Sequence, residues 1–164
     1  MRKITWLNTK TRGQKNRREL DQILLKDSQT GLYNAEYFNE FLALEKKRCE
    51  RSEDPAYLML ADLSAFTDVS ERLNIAQSMM GVFSEVTRDT DIKGWHVDGS
   101  VIGIMFTEMT GKEATSLPAL RRIANKCLWL LETNLGVETF SCIQISWKSL
   151  QSGHILEIHQ ANKS

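Results

Sequence analysis

Asp27-Ser-Gln-Thr-Gly-Leu-Tyr-Asn34 is the stretch on which the reading of the fold turns. Its first five residues are polar or glycine, the composition of a turn, and Asn34 is a good N-cap for a helix. That helix is predicted to run from Asn34 to about Arg51. Phe38, Phe41, Leu42 and Leu44 form a stripe on it opposite Glu36, Glu40, Glu45, Lys46 and Lys47. Upstream, Leu20, Ile23, Leu24 and Leu25 recur at helical spacing, which predicts a short leading helix over Arg17 to Lys26.

Downstream, Tyr57 to Leu63 is almost wholly apolar, the pattern of a strand covered on both faces. Asp62 stands at its C-terminal tip, where open sheets commonly place chemistry. A second long helix is predicted over Asp68 to Arg88, with Leu73, Ile75, Ala76, Met79, Met80 and Phe83 inward. Gly94 to Val97 and Val101 to Phe106 read as strands joined at Asp98-Gly99-Ser100, because Asp-Gly between apolar runs signals a hairpin. Ser116 to Thr133 predicts a third long helix, and Phe140 to Trp147 alternates as a further strand. Pro118 reads as the start of an element, and the residues after Gly153 as an edge strand or tail. The fold class expected is a layered α/β (α+β) domain.

Lys plus Arg and Asp plus Glu both total 21, so the whole chain has no net attraction for polyanions. Seven basic residues and no acidic one lie between Met1 and Arg18, which reads as a solvated basic arm. Nucleic acid is not the expected partner. No apolar run is long enough to span a membrane and no signal-peptide core precedes the basic arm, so a cytoplasmic protein is expected. Cys49, Cys127 and Cys142 lack CxxC spacing, and His96, His154 and His159 lack ligand spacing. Neither a disulfide framework nor a metal is assigned to them.

The quoted stretch closely resembles the DxLTGLxN motif that opens GGDEF domains, the catalytic domains of diguanylate cyclases, and Tyr37-Phe38 fits the aromatic pair that comes after it. Tyr57 to Phe66, ending Ala-Asp-Leu-Ser-Ala-Phe, is similar to the family's strand and DIDxFK turn. The resemblance covers roughly Asp27 to Trp147. It implies a nucleotidyl-cyclase-like central mixed sheet of about five strands flanked by helices, and two segments: 1–26, a basic arm with its leading helix, and 27–164, a degenerate GGDEF-like domain.

The departures bear on function. Where the family carries its GGDEF letters, this chain has Val97-Asp98-Gly99-Ser100-Val101, and nothing in Thr67 to Met80 matches the family's substrate stretch N-D-x-x-G-H. Two-metal nucleotidyl transfer needs several oxygen ligands around hard cations. Asp62 alone does not supply them and is a vestigial metal position, with Asp98 displaced from the family's acidic positions. No catalytic residue, metal or cofactor is expected.

Arg88-Asp-Thr-Asp91 matches the family's RxxD product-binding motif and stands five residues before the hairpin letters. A guanidinium fork bonds guanine O6 and N7 or a phosphate, while a carboxylate accepts from guanine N–H groups. The family also draws an arginine from the helix after the hairpin, where this chain offers Arg121 and Arg122. The resemblance thus implies an inactive signalling domain in which Arg88, Asp91, Arg121 and Arg122 are the candidate cyclic di-GMP contacts. The alternative is a protein-interaction or dimerisation module with no nucleotide ligand, in which RxxD is an inherited remnant or a surface ion pair.

Overall fold

The computed structural model describes residues 25–158. The basic arm, and all but the last two residues of the expected leading helix, lie outside them. From the opening turn the chain forms α1 (Ala35–Arg51), β1 (Tyr57–Asp62), α2 (Val69–Val86), β2 (Ile92–Val97), β3 (Val101–Phe106), α3 (Glu113–Leu135), α4 (Val137–Ser141), β4 (Gln144–Ser149) and β5 (Ile155–Leu156). Asn34 caps α1 as its sequence position predicts, its side chain accepting from the Tyr37 N–H at 2.8 Å. Asp68 does the same for α2, accepting from the Glu71 N–H at 2.8 Å. Each such cap satisfies an amide that helix geometry leaves without a partner, a contribution of about 1 kcal/mol.

The five strands order as β2-β3-β1-β4-β5, with every strand pair antiparallel. The expectation of about five strands flanked by helices holds. The parallel component among the described residues is an isolated bridge, Tyr33 to Gly94, by which the opening segment joins the β2 edge. β1 is paired on both sides, from Tyr57↔Phe106 to Asp62↔Val101 with β3 and from Tyr57↔Ser149 to Asp62↔Gln144 with β4.

Strand alternation divides the core into two layers. Tyr57, Met59 and Ala61 of β1 and Ile102, Ile104 and Phe106 of β3 pack with Ile75, Met79 and Phe83 of α2 and Leu120, Ala124, Leu128 and Leu131 of α3. Leu58 and Met105 face the other way, toward Phe38 and Cys49 of α1. Helices therefore cover both faces, which is why β1 is apolar at nearly every position although its partners are antiparallel. Each large side chain so buried contributes about 1.5–3 kcal/mol.

The seat of α1 depends on two glycines. Gly94 and Gly103 are paired across β2 and β3, and the Phe38 ring, fully buried, lies directly on them. A Cβ at Gly94 would stand 2.6 Å from Phe38 Cδ2, and one at Gly103 would overlap the far end of the same ring. The missing side chains let α1 approach the hairpin closely.

Two boundaries differ most from the sequence expectation. α3 starts at Glu113, so Pro118 lies inside it and leaves the Ala114 carbonyl without its usual helical amide; the buried leucine stripe beyond holds the helix regardless. Phe140 belongs to α4, where it is 3% exposed, and β4 starts only at Gln144. Gly136, at φ 82°, ends α3 and turns the chain into that short helix, so one core aromatic mimicked strand alternation. β5 confirms the edge strand after Gly153. No described helix is long and apolar enough to cross a membrane.

Candidate functional site

Two polar corners carry the residues singled out by sequence. The first surrounds the tip of β1. Asp62 is half-buried, and its Oδ1 accepts from the Ser64 N–H at 2.8 Å. Beside it the hairpin closes with the Ser100 N–H donating to the Val97 carbonyl at 3.1 Å, a turn that Gly99 permits at φ 68°. Asp98, at that tip, accepts from the Ala35 N–H at 3.1 Å and so caps α1 from 63 residues away. A recess of about 230 Å³ lies here, lined by Asp27, Asn34, Val69, Leu73, Trp95, Asp98 and Gly99.

Asp27 organises the opening turn. Its carboxylate accepts from the Gln29 N–H at 3.0 Å, the Thr30 hydroxyl at 2.6 Å and Trp95 Nε1 at 3.3 Å. Burial pushes this carboxyl up, but the three donors together outweigh burial and hold it below the usual carboxylate range. The motif that identified the fold thus ties the opening segment to β2. Among the described residues no group of three His, Cys, Asp or Glu side chains gathers to hold a metal ion.

The second corner lies at the other end of the sheet, where α2 passes into β2. Arg88 and Asp91 are brought together: Arg88 Nη2 stands 3.6 Å from Asp91 Oδ1. Their exposures differ sharply, the Arg88 side chain being 52% exposed and that of Asp91 2%. Asp91 turns inward, Oδ2 accepting from the Arg88 N–H at 2.8 Å and Oδ1 from the Thr107 N–H at 3.2 Å. Arg88 Nη2 in turn donates to the Thr107 carbonyl at 2.6 Å, and Thr107 Oγ1 donates to the Thr90 carbonyl at 2.9 Å. The exit of β3 is therefore fastened to the RxxD turn from three directions.

Arg88 opens onto a recess of about 360 Å³, whose other walls are Glu108, Met109, Thr110, Thr115, Ser116, Ala119 and Ile123. Neither Arg121 nor Arg122 lines it. Arg121 Nη1 donates to the Glu157 carbonyl at 3.1 Å beyond β5, and Arg122 is exposed on α3. Sequence reasoning did not reach Thr107 and Glu108. Glu108 has φ 52°, the left-handed region that costs a side-chain-bearing residue roughly 1–2 kcal/mol. Neither Thr107 nor Glu108 carries a motif or a spacing signal in the sequence.

Neither protein-family models nor curated proteins match the sequence. Solved structures do. The GGDEF domain of DgcB from Caulobacter crescentus in complex with c-di-GMP superposes with a TM-score of 0.55 at 12% identity, over 76% of this chain and 75% of that one. The coiled coil and GGDEF domain of the same protein gives 0.51 at 13% identity, over 87% and 78%. The diguanylate cyclase SiaD from Pseudomonas aeruginosa, in complex with its activator SiaC, gives 0.50 at 20% identity over 74% of this chain. The present chain spans about half the length of the SiaD chain, 49%, and about three quarters of the DgcB domain. At such identities the likeness is one of architecture: this chain has a GGDEF-like fold.

Proposed function

We propose that the chain is a catalytically inactive GGDEF-like signalling domain of a cytoplasmic, cyclic di-GMP-related system, acting by binding rather than by turnover. The observation that carries this reading is the use made of the carboxylates at the β1 tip. Asp98 caps α1, Asp62 serves the Ser64 amide, and no third acidic group joins them among the described residues. Mg²⁺ at such a site is held by carboxylates together with phosphate and water oxygens, and two aspartates engaged with the backbone are a sparse set for a pair of ions. This use of the aspartates supports the reading that a cyclase's metals are not held here, and no step is derived through them. Incubation with GTP and Mg²⁺ tests the reading: neither cyclic di-GMP nor pppGpG forms. Product that disappears in Asp62→Ala would overturn it.

The ligand of this reading is cyclic di-GMP at the Arg88 corner. Arg88 is exposed, anchored through Thr107, and lines a recess whose walls are partly apolar. Arg121 and Arg122 lie outside that recess and are not assigned to it. Calorimetric titration then gives saturable binding that Arg88→Ala abolishes while the chain stays folded by circular dichroism. A second reading, a protein-interaction module without a nucleotide, draws support from the burial of Asp91, which leaves half of the RxxD motif serving the fold. No heat with cyclic di-GMP, together with a partner retained equally by the wild type and Arg88→Ala, would favour it.

A further inference from the structure

We propose that Glu108, rather than Asp91, is the carboxylate that this corner offers to a guanine base, and that Asp91 is a positioning residue behind it. The inference rests on the cyclic di-GMP reading of the Arg88 corner. A guanine needs an acceptor for N1–H and the N2 amino group beside a donor for O6 and N7. Both oxygens of Asp91 already accept from backbone amides, those of Arg88 and Thr107, and its side chain is 2% exposed. Glu108 is exposed and shares the recess with Arg88.

Backbone geometry supports the same assignment. Glu108 is the residue other than glycine that has a positive φ among the described residues. Strain of this kind persists where the surroundings over-determine it. Here Thr107, its immediate neighbour, is held at its amide by Asp91, at its carbonyl by Arg88 and at its hydroxyl by the Thr90 carbonyl. RxxD thus fixes the residue from which Glu108 projects.

Of the remaining walls Thr110, Thr115 and Ser116 are polar and the other three apolar. Met109, Ala119 and Ile123 present apolar surface to a ring face, and about 360 Å³ is near the lower end of small-ligand pockets, room for one base rather than a whole dinucleotide. Arg88 takes O6 and N7, Glu108 takes N1–H and N2–H, and the Glu108 charge keeps phosphate outside. Adenine offers the reverse pattern, an N1 lone pair against the carboxylate.

Calorimetric titration of the full chain with cyclic di-GMP and cyclic di-AMP, on the wild type, Arg88→Ala, Glu108→Gln and Glu108→Gly, tests this. Expected are a wild-type preference for cyclic di-GMP, at least tenfold weakening with loss of the preference in both Glu108 variants, and loss of binding in Arg88→Ala. Glycine accepts the left-handed backbone, so Glu108→Gly folds even if glutamine does not. Wild type that takes no cyclic di-GMP sinks the receptor reading and this inference together. Wild type that binds, with Arg88→Ala dead and both Glu108 variants keeping affinity and preference, leaves the receptor standing and overturns the role of Glu108.

Discussion

Replacing Asp91 by alanine separates a carboxylate that holds the fold from one that waits for a ligand. The side chain accepts from the Arg88 N–H at 2.8 Å and the Thr107 N–H at 3.2 Å, and the second of these bonds is fully buried. A hydrogen bond to a charged acceptor contributes about 1.5–3 kcal/mol, and a buried amide left without a partner bears the full desolvation penalty. The Arg88 amide is partly solvated after the change, so its loss falls at the low end of that range. The sum is about 3 kcal/mol. In a domain of this size that lowers Tm by roughly 6–12 °C. Asp91→Asn keeps one acceptor and loses about half as much, while Arg88→Ala gives up a half-exposed ion pair and the bond to the Thr107 carbonyl, a loss of about 1.5–2 kcal/mol. Urea unfolding followed by circular dichroism measures all three, with an unchanged m-value as the sign that the comparison is sound. An Asp91→Ala chain within about 0.5 kcal/mol of the wild type would refute the reasoning, because it would mean that neither amide depends on this carboxylate.

Gly103→Ala sets a methyl group against the Phe38 ring, which is 0% exposed and has nowhere to move; overpacking destabilises by about 1–3 kcal/mol, and adding Phe38→Leu recovers part of the loss in a double-mutant cycle read by thermal melting. Of the three thiols, Cys142 is exposed and reacts with a disulfide reagent in the native state, whereas Cys49 and Cys127 are buried and react only on unfolding. Burial pushes the Cys127 thiol up to about 12. The unfolded thiol ionises near 9, so the stability that comes from keeping Cys127 neutral is complete below that pH and is lost as pH rises toward 12, visible as a falling Tm in an alkaline series.

Most of the architecture was legible because the elements that build it carry local signals. Asn34 and Asp68 are caps by type and position, Asp98-Gly99 turns the hairpin, and β1 is apolar throughout. What was not legible depends on contacts across the sheet. Pro118 reads as a start since local sterics favour one there, yet α3 begins five residues earlier, carried by a stripe that tolerates a single lost amide. Phe140 looks like a strand residue until Gly136 places it on α4. The RxxD residues were found by pattern, but which of them faces solvent is decided by Thr107, 16 residues after Asp91, and no spacing rule announces that contact. Arg121 and Arg122 were plausible by chain order; helical rotation sets Ser116, Ala119 and Ile123, not them, against the recess.

One pattern links both corners. Asp27, Asp62, Asp68, Asp91 and Asp98 each accept a hydrogen bond from a backbone amide: Gln29, Ser64, Glu71, Arg88 with Thr107, and Ala35. A short side chain reaches nearby amides easily, and once there it is held in place by bonds that the fold uses. Glutamate is a methylene longer, and at position 108 no such amide among the described residues holds it. On the proposed reading the groups that meet a ligand in the second corner are Arg88, half-exposed and steadied from behind, and Glu108, raised on a strained backbone beside it. That division, aspartates for the scaffold and the longer side chains for the solvent face, makes binding at the Arg88 recess compatible with a β1 tip whose carboxylates serve the backbone.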